Sequence, residues 1–382
     1  MMKVMISSIG IGLLLSLTIH NVCGSLYDPH VFPDTGPFFE GWYLRINDYD
    51  NEGSVGLLFG HVLPETSKNT TRSLVIASLL VRQCENASCK LLSYDGTYAI
   101  SQLRVTVDGK PVTNDPDYES PSRFRWEVNS PSGGGYFDQT CDKTLFSFRI
   151  EDLVFRGEIG RPEPWSMSGK GPEGWLSALP LPLHWFVYSL RSELVSYMLV
   201  NVTSGTVIRG VNGSVHMEKN WGQSFPAQWI WSEGVQPENN ASFALSGGLV
   251  ALPIFSVNAY LIGYRNPKKN ISLDFRPDDS IVNTDINGCN GTVIVTTKGV
   301  LHEVEFSLEA SPNTFSDCLL GPESMGFRPA CVESYDARAT VRVFVRNYIP
   351  WQYTLIDQQT FHGIALEFGG LHVCNNKCNV KV

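Results

Sequence analysis

Residues 216–231 read HMEKNWGQSFPAQWIW, from His216 to Trp231. An acid, a base, an amide, an imidazole and three tryptophans fall within this one short stretch. Gly222 and Pro226 mark a turn near its middle, and the runs on either side alternate as strands do. Alternate side chains of a strand share a face. That places His216, Glu218 and Asn220 on one side and Met217, Lys219 and Trp221 on the other. After the turn, Trp229 and Trp231 share a face. Read as a hairpin, the stretch lines a pocket with polar groups on one strand and indoles on the other. The competing reading makes Glu218–Lys219 a surface ion pair and the tryptophans ordinary core.

Outward from this stretch, strand signals dominate. Phe38–Ile46 alternates, Asn47–Gly53 is a turn, and Ser54–Val62 is the return strand. Ser73–Cys84, Arg123–Val128, Thr144–Ile150 and Leu153–Ile159 follow the same style. Leu190–Leu199 fits a short helix or another strand. Gly160–Pro182 is rich in glycine and proline and reads as a connection between halves. Ala244–Gly263 carries no charge, but Gly247-Gly248 and Pro253 argue for two buried strands rather than a membrane helix. Strands are expected again at Ile271–Phe275, Thr292–Thr297, Val304–Leu308, Ala339–Val345 and Gly363–Gly370, with an irregular loop over Leu319–Ala330. Many short strands with closely spaced turn signals predict an all-β chain of antiparallel barrels or sandwiches. The expected divisions are 1–24, 25–180 and 181–382.

Residues 1–24 combine Lys3, an apolar run through Ile19 and small residues near Gly24, the pattern of a secretory signal peptide. Of nine cysteines, Cys23 belongs to that segment, and the remaining even number argues for disulfides. The simplest local pairing is Cys84–Cys89, Cys318–Cys331 and Cys374–Cys378, leaving Cys141–Cys289 to tie the halves together. Seven Asn-x-Ser/Thr sites, at Asn69, Asn86, Asn201, Asn212, Asn240, Asn270 and Asn290, predict a glycoprotein that is secreted or held in the secretory lumen. The net charge is −9 and no basic run occurs, which argues against a nucleic-acid partner. No phosphate-binding loop, nucleophile elbow or dinucleotide fingerprint stands out.

Two motifs carry a family resemblance. Glu218-Lys219-Asn220-Trp221-Gly222, followed by Phe225-Pro226 and Trp229-x-Trp231, resembles a signature of the tocopherol cyclase family. Phe38-Phe39-Glu40-Gly41-Trp42-Tyr43 resembles that family's other signature. Gly174-Trp175 with Pro182-x-His184-Trp185, Ser246-Gly247-Gly248-Leu249 and Phe368-Gly369-Gly370 are similar to further family segments. The resemblance implies two tandem lipocalin-like β domains and an isoprenoid cyclase that closes a chroman ring. It implies no metal and no organic cofactor. The partner it implies is a hydrophobic small molecule, a prenylated phenol or quinol, reached through transient contact with a membrane. The plant enzymes of the family work in plastids, whereas this chain reads as secretory.

The implied chemistry sets requirements that the residues can be matched to. Alkene protonation needs a dry, uncharged acid, and burial raises a carboxyl pKa. Glu40 and Glu218 are the candidates, although Lys219 beside Glu218 favours the ionised form, and the competing reading of Glu40 pairs it with Arg45 or Lys219 or with buried backbone amides. A tertiary cation needs an electron-rich wall, and desolvated indole faces supply about 2 kcal/mol each. Trp42, Trp185, Trp221, Trp229 and Trp231 qualify, with Phe39 and Tyr43 as further substrate contacts. His184 or His216 can accept the phenol proton, and Asn220 can orient a hydroxyl. The alternative is a non-catalytic carrier of an apolar isoprenoid or lipid, using the same aromatic pocket.

Overall fold

The computed structural model describes residue 33 and residues 36–378, apart from residue 52 and residues 66–73, 86–87, 114–120, 167–168, 252–254 and 348–351. The expected signal segment and the sites at Asn69 and Asn86 lie outside the described residues.

The chain is essentially all β and forms two antiparallel sheets. The first holds β1 (Phe38–Asp48), β2 (Gly53–Leu63), β3 (Val75–Glu85), β4 (Ser88–Tyr98), β5 (Leu103–Val107), β6 (Lys110–Pro111), β7 (Arg123–Ser130), β8 (Gly133–Thr140), β9 (Thr144–Ile150), β10 (Leu153–Ile159), β11 (Leu183–Asn201), β12 (Val207–Gly210) and β13 (Gly213–Gly222). The second holds β14 (Gln228–Val235), β15 (Ser242–Ala251), β16 (Ser256–Asn266), β17 (Ile271–Phe275), β18 (Ile281–Asn287), β19 (Thr292–Lys298), β20 (His302–Glu309), β21 (Leu319–Glu323), β22 (Gly326–Arg346) and β23 (Tyr353–Gly370). Leu190–Leu199 is therefore strand, and Leu319–Ala330 is not a loop but β21 turning back into β22.

Each sheet curls around its own core. In β1, Trp42, Leu44 and Ile46 point into the first core, where Phe59, Trp126, Phe137 and Phe148 from distant strands meet them. Phe243, Phe306 and Phe361 fill the second. These interiors are packed with rings, so neither is the ligand chamber that a lipocalin-like barrel usually offers.

A third apolar cluster lies between the sheets. Tyr43 and Trp185 from the first sheet meet Trp229, Trp231 and Tyr335 from the second. Arg45 crosses the same seam: Nε donates to Ser54 Oγ at 2.8 Å, Nη1 pairs with Glu233, and Nη2 donates to the Gly363 carbonyl. Both charged side chains of this pair are fully buried.

The expected hairpin over 216–231 is instead a crossover. β13 pairs with β1 and β11, and β14 pairs with β15 and β23, so the two strands belong to different sheets. Gly222 makes the exit possible. Its φ is +153°, and a Cβ there would lie 2.3 Å from the Pro182 carbonyl oxygen. Side-chain faces follow the expected alternation, but the strands meet face to face. Trp231 Nε1 donates to Glu218 Oε2 at 3.0 Å across the gap. For the same reason the division expected at 180/181 falls inside the first sheet, which continues through β11 and β13 to Gly222.

Cys84–Cys89 is bridged as expected. The other pairings differ: Cys289 joins Cys374 and Cys318 joins Cys378. Cys141 is in a disulfide, and Cys331 is a buried free thiol. Nearest-neighbour pairing failed because the C-terminal residues fold back onto the second sheet, where Val373 and Cys378 join its core. The disulfides are compatible with a secreted protein. Among the described residues, no helix is long and apolar enough to cross a membrane. Asn212, Asn240, Asn270 and Asn290 are exposed, and Asn201 is half-buried.

Candidate active site

A cavity of about 270 Å³ opens in the seam between the sheets. Tyr43 (β1), Trp185 (β11), Glu218 and Asn220 (β13), and Trp229 and Trp231 (β14) line it, so six of the expected residues converge there. The Gly160–Pro182 connection folds back to cover it with Leu176, Leu181 and Glu173. Val257 on β16 lines the cavity and is 38% exposed, which puts the mouth beside it.

Two lining acids, Glu333 and Glu367, were not among the expected residues. They stand directly opposite one another on β22 and β23. Like charges at opposed positions repel, and two such carboxyls in a dry site do not both ionise at neutral pH. Burial raises the Glu367 pKa to about 7, with the nearby Glu218 charge adding to it. A hydrogen bond from Trp229 Nε1, at 2.5 Å, and one from Cys331 pull it back. Glu333 is held well above the usual carboxylate range, by burial first and then by the charge of Glu367. Tyr43 Oη donates to Glu333 at 3.0 Å and lies 2.8 Å from Tyr335 Oη. The Trp229 geometry depends on Gly369: a Cβ there would sit 1.8 Å from the indole.

Glu218 differs from this pair. Its Oε2 receives Trp231 Nε1 and lies 2.9 Å from His216 Nε2. Burial lowers the His216 pKa, but the Glu218 hydrogen bond and the charges of Glu233 and Glu218 outweigh it, and the net shift is upward. The two form a buried hydrogen-bonded pair with the Glu218 carboxyl group toward the cavity. His216 does not line the cavity itself and acts through Glu218.

The remaining expected residues lie elsewhere. In β1, Glu40 is on the face opposite Tyr43 and pairs with Lys219 Nζ at 3.4 Å, so a cation neutralises it. Glu40, Phe39 and Trp42 reach an adjoining smaller cavity rather than the main one. Trp42 belongs to the first core, stacked on Phe59 and Phe124. His184 and Trp221 stack on each other outside both cavities, with ring centroids 4.9 Å apart. His184 Nδ1 lies 2.8 Å from Glu173 Oε2, while Glu173 Oε1 accepts the Trp185 amide. His184 therefore anchors the cover of the cavity and is not placed to take a substrate proton.

The family model described as tocopherol cyclase-like matches residues 36–370, and the chain belongs to that family. Among solved structures, CghA is similar, with a TM-score of 0.54 at 11% identity over 87% of this chain and 88% of CghA. A putative AttH from Nitrosomonas europaea gives 0.45 at 12% identity, over 87% of this chain and 92% of that one. Kievitone hydratase from Nectria haematococca gives 0.41 at 11% identity, over 87% and 89%. The likeness to CghA is one of fold.

Proposed function

We propose that this tocopherol cyclase-like chain closes a chroman ring on a prenylated phenol or quinol bound between its two sheets. The observation that carries this reading is the Glu333–Glu367 pair, two opposed carboxyls whose pKa values are both raised in an indole-walled cavity. The carboxylate left after proton transfer is stabilised by the hydrogen bonds already in place, from Trp229 Nε1 to Glu367 and from Tyr43 Oη to Glu333.

The steps balance as an isomerisation. A proton passes from the pair to the less substituted carbon of the tail's first trisubstituted alkene, giving a tertiary cation. The phenol oxygen attacks that cation and the ring closes. The phenol proton leaves to the Glu218 carboxylate, which His216 and Trp231 hold toward the cavity. Two environments thus separate the acid from the base. Trp185, Trp229 and Trp231 face the developing cation. Asn220 lines the cavity and orients a quinol hydroxyl, while Tyr43 Oη is held by Glu333 and Tyr335. Exclusion of water keeps the cation from being captured as an alcohol, and holding oxygen and alkene together contributes much of the acceleration.

The test is incubation of the purified protein with a prenylated hydroquinone in deuterium oxide. One solvent deuteron should appear at the chroman ring CH₂ next to the new quaternary carbon, and Glu367→Gln or Glu333→Gln should suppress product at least about a hundredfold. Saturable binding with the quinol returned unaltered would make the protein a carrier. Chroman free of solvent deuterium would remove the protonation step.

A further inference from the structure

A second cavity, of about 80 Å³, adjoins the first. The two share Tyr43, Leu58, Asn220, Phe225, Trp229 and Glu367 as walls. Beyond them the second is mostly apolar, with Ile76, Leu320, Pro322 and Phe327 beside the polar Glu40 and His61, and reaches no strand on the mouth side such as β16. The wall between the two is a stack of three rings. Phe225 lies 5.3 Å from Phe39 on one side and 5.0 Å from Trp229 on the other, nearly parallel to both (23° and 21°). Of the six shared residues, five are fixed on strands. Phe225 alone comes from the crossover 223–227; like Leu58, Asn220 and Glu367 it is half-buried. It is the one shared ring not carried on a strand.

We propose that the second cavity receives the far end of an isoprenoid tail, with Phe225 as the movable ring between it and the first. The inference rests on the cyclase reading for the ligand's class. A ring plus first prenyl unit seated near Glu218 and Asn220 brings its alkene to Glu367, which borders both cavities. The rest of the tail then has one apolar direction to run, past Phe225 and away from solvent. Tail length becomes a determinant of binding, and the acid stands at the threshold, beside the first alkene rather than the later ones. That arrangement selects which double bond is protonated.

The experiment measures binding of hydroquinones carrying one or four isoprene units, by quenching of the cavity tryptophans. It uses the intact protein and needs no turnover. Leu320→Trp fills the second cavity. It should weaken the four-unit quinol at least about tenfold and leave the one-unit quinol within about twofold. Phe225→Ala removes the dividing ring and should speed association of the four-unit quinol by about tenfold more than that of the one-unit quinol. A Leu320→Trp protein that still binds the one-unit quinol but shows no selective loss for the long tail overturns the proposal. If that variant fails to fold, long-tail association in Phe225→Ala that gains nothing over the one-unit quinol overturns it instead. Tail-selective effects without chroman formation would sink the reaction and leave the compartment standing.

Discussion

Glu333 and Glu367 face each other residue for residue on neighbouring strands, Glu333 fully out of solvent and Glu367 half-buried, and both border the cavity. This placement works against folding. Glu367 has its pKa raised from 4.5 to about 7. Above the unfolded value the open chain sheds the proton while the native state keeps it, so stability falls as pH rises from about 4.5 to 7. Above 7 the Glu367 share of the loss levels off. The loss is on the order of 3 kcal/mol. Glu367→Gln keeps the shape and removes the titration. We expect it to be the more stable protein at pH 8, by urea denaturation, and the two curves to converge near pH 4. A wild-type curve flat across this range would mean the carboxyl is not held protonated.

His216 has the opposite sense. Its pKa is raised, so its pairing with Glu218 contributes stability below about pH 6.5 that disappears as pH climbs through the raised value. Glu218→Gln removes the principal upward influence and leaves burial to act. The imidazole pKa, followed by NMR, should drop by at least about one unit. No drop would place the proton of this pair on some other group.

The cavity was legible in the sequence on one side only. In β1 and β13, Tyr43, Glu218 and Asn220 sit inside motifs dense with aromatics, and alternation assigned their faces correctly. Glu333 and Glu367 had no such signal. Each is one acid on a strand whose neighbours (Val332, Leu366, Phe368) point into a core. That is also how a solvent-facing position looks. Only the docking of the first sheet onto that face turns two apparent surface acids into cavity-lining ones. The hairpin misreading over 216–231 has a related cause. Six residues with a glycine and a proline can turn a strand back or carry it to another sheet, and local pattern does not tell the two apart. For Glu40 the sequence left a dry acid and a pairing with Arg45 or Lys219 open, and the fold brings up Lys219, 179 residues away. The cysteine pairs failed for want of the same long-range information.

Arg45 is the most deeply placed cation of the seam, with Glu233 as its partner and Glu333 within its field. Arg45→Met strands the buried Glu233 carboxylate and should cost about 3–5 kcal/mol, whereas Arg45→Met with Glu233→Leu should recover most of it. A double-mutant cycle by urea denaturation reads the difference. Additive single losses would show that the pair does not hold the sheets together.

The disulfides differ in what they close. Cys318–Cys378 spans 60 residues and Cys84–Cys89 spans 5. Loop-closure entropy predicts about 4 kcal/mol for the longer and about 2 kcal/mol for the shorter. Calorimetry of the Cys318→Ser/Cys378→Ser and Cys84→Ser/Cys89→Ser proteins should show the larger Tm drop in the first. The reverse order would place the fold's dependence on the β3–β4 hairpin rather than on the C-terminal segment.

Trp229 offers the sharpest test of which acid gives up its proton. Its Nε1 bond stabilises the ionised form of Glu367 and so lowers a pKa that burial raises. Trp229→Phe keeps an aromatic wall and deletes the donor. The Glu367 pKa should then climb above about 7, and the reactive protonated form should persist to higher pH. If Glu367 is the donor, the alkaline limb of the pH–rate profile moves upward by about one unit, while the maximal rate falls because a weaker acid protonates the alkene more slowly. If Glu333 alone is the donor, the limb does not move upward: its hydrogen bond comes from Tyr43, and a less ionised Glu367 removes part of the like charge that holds Glu333 high, so the limb stays or moves down.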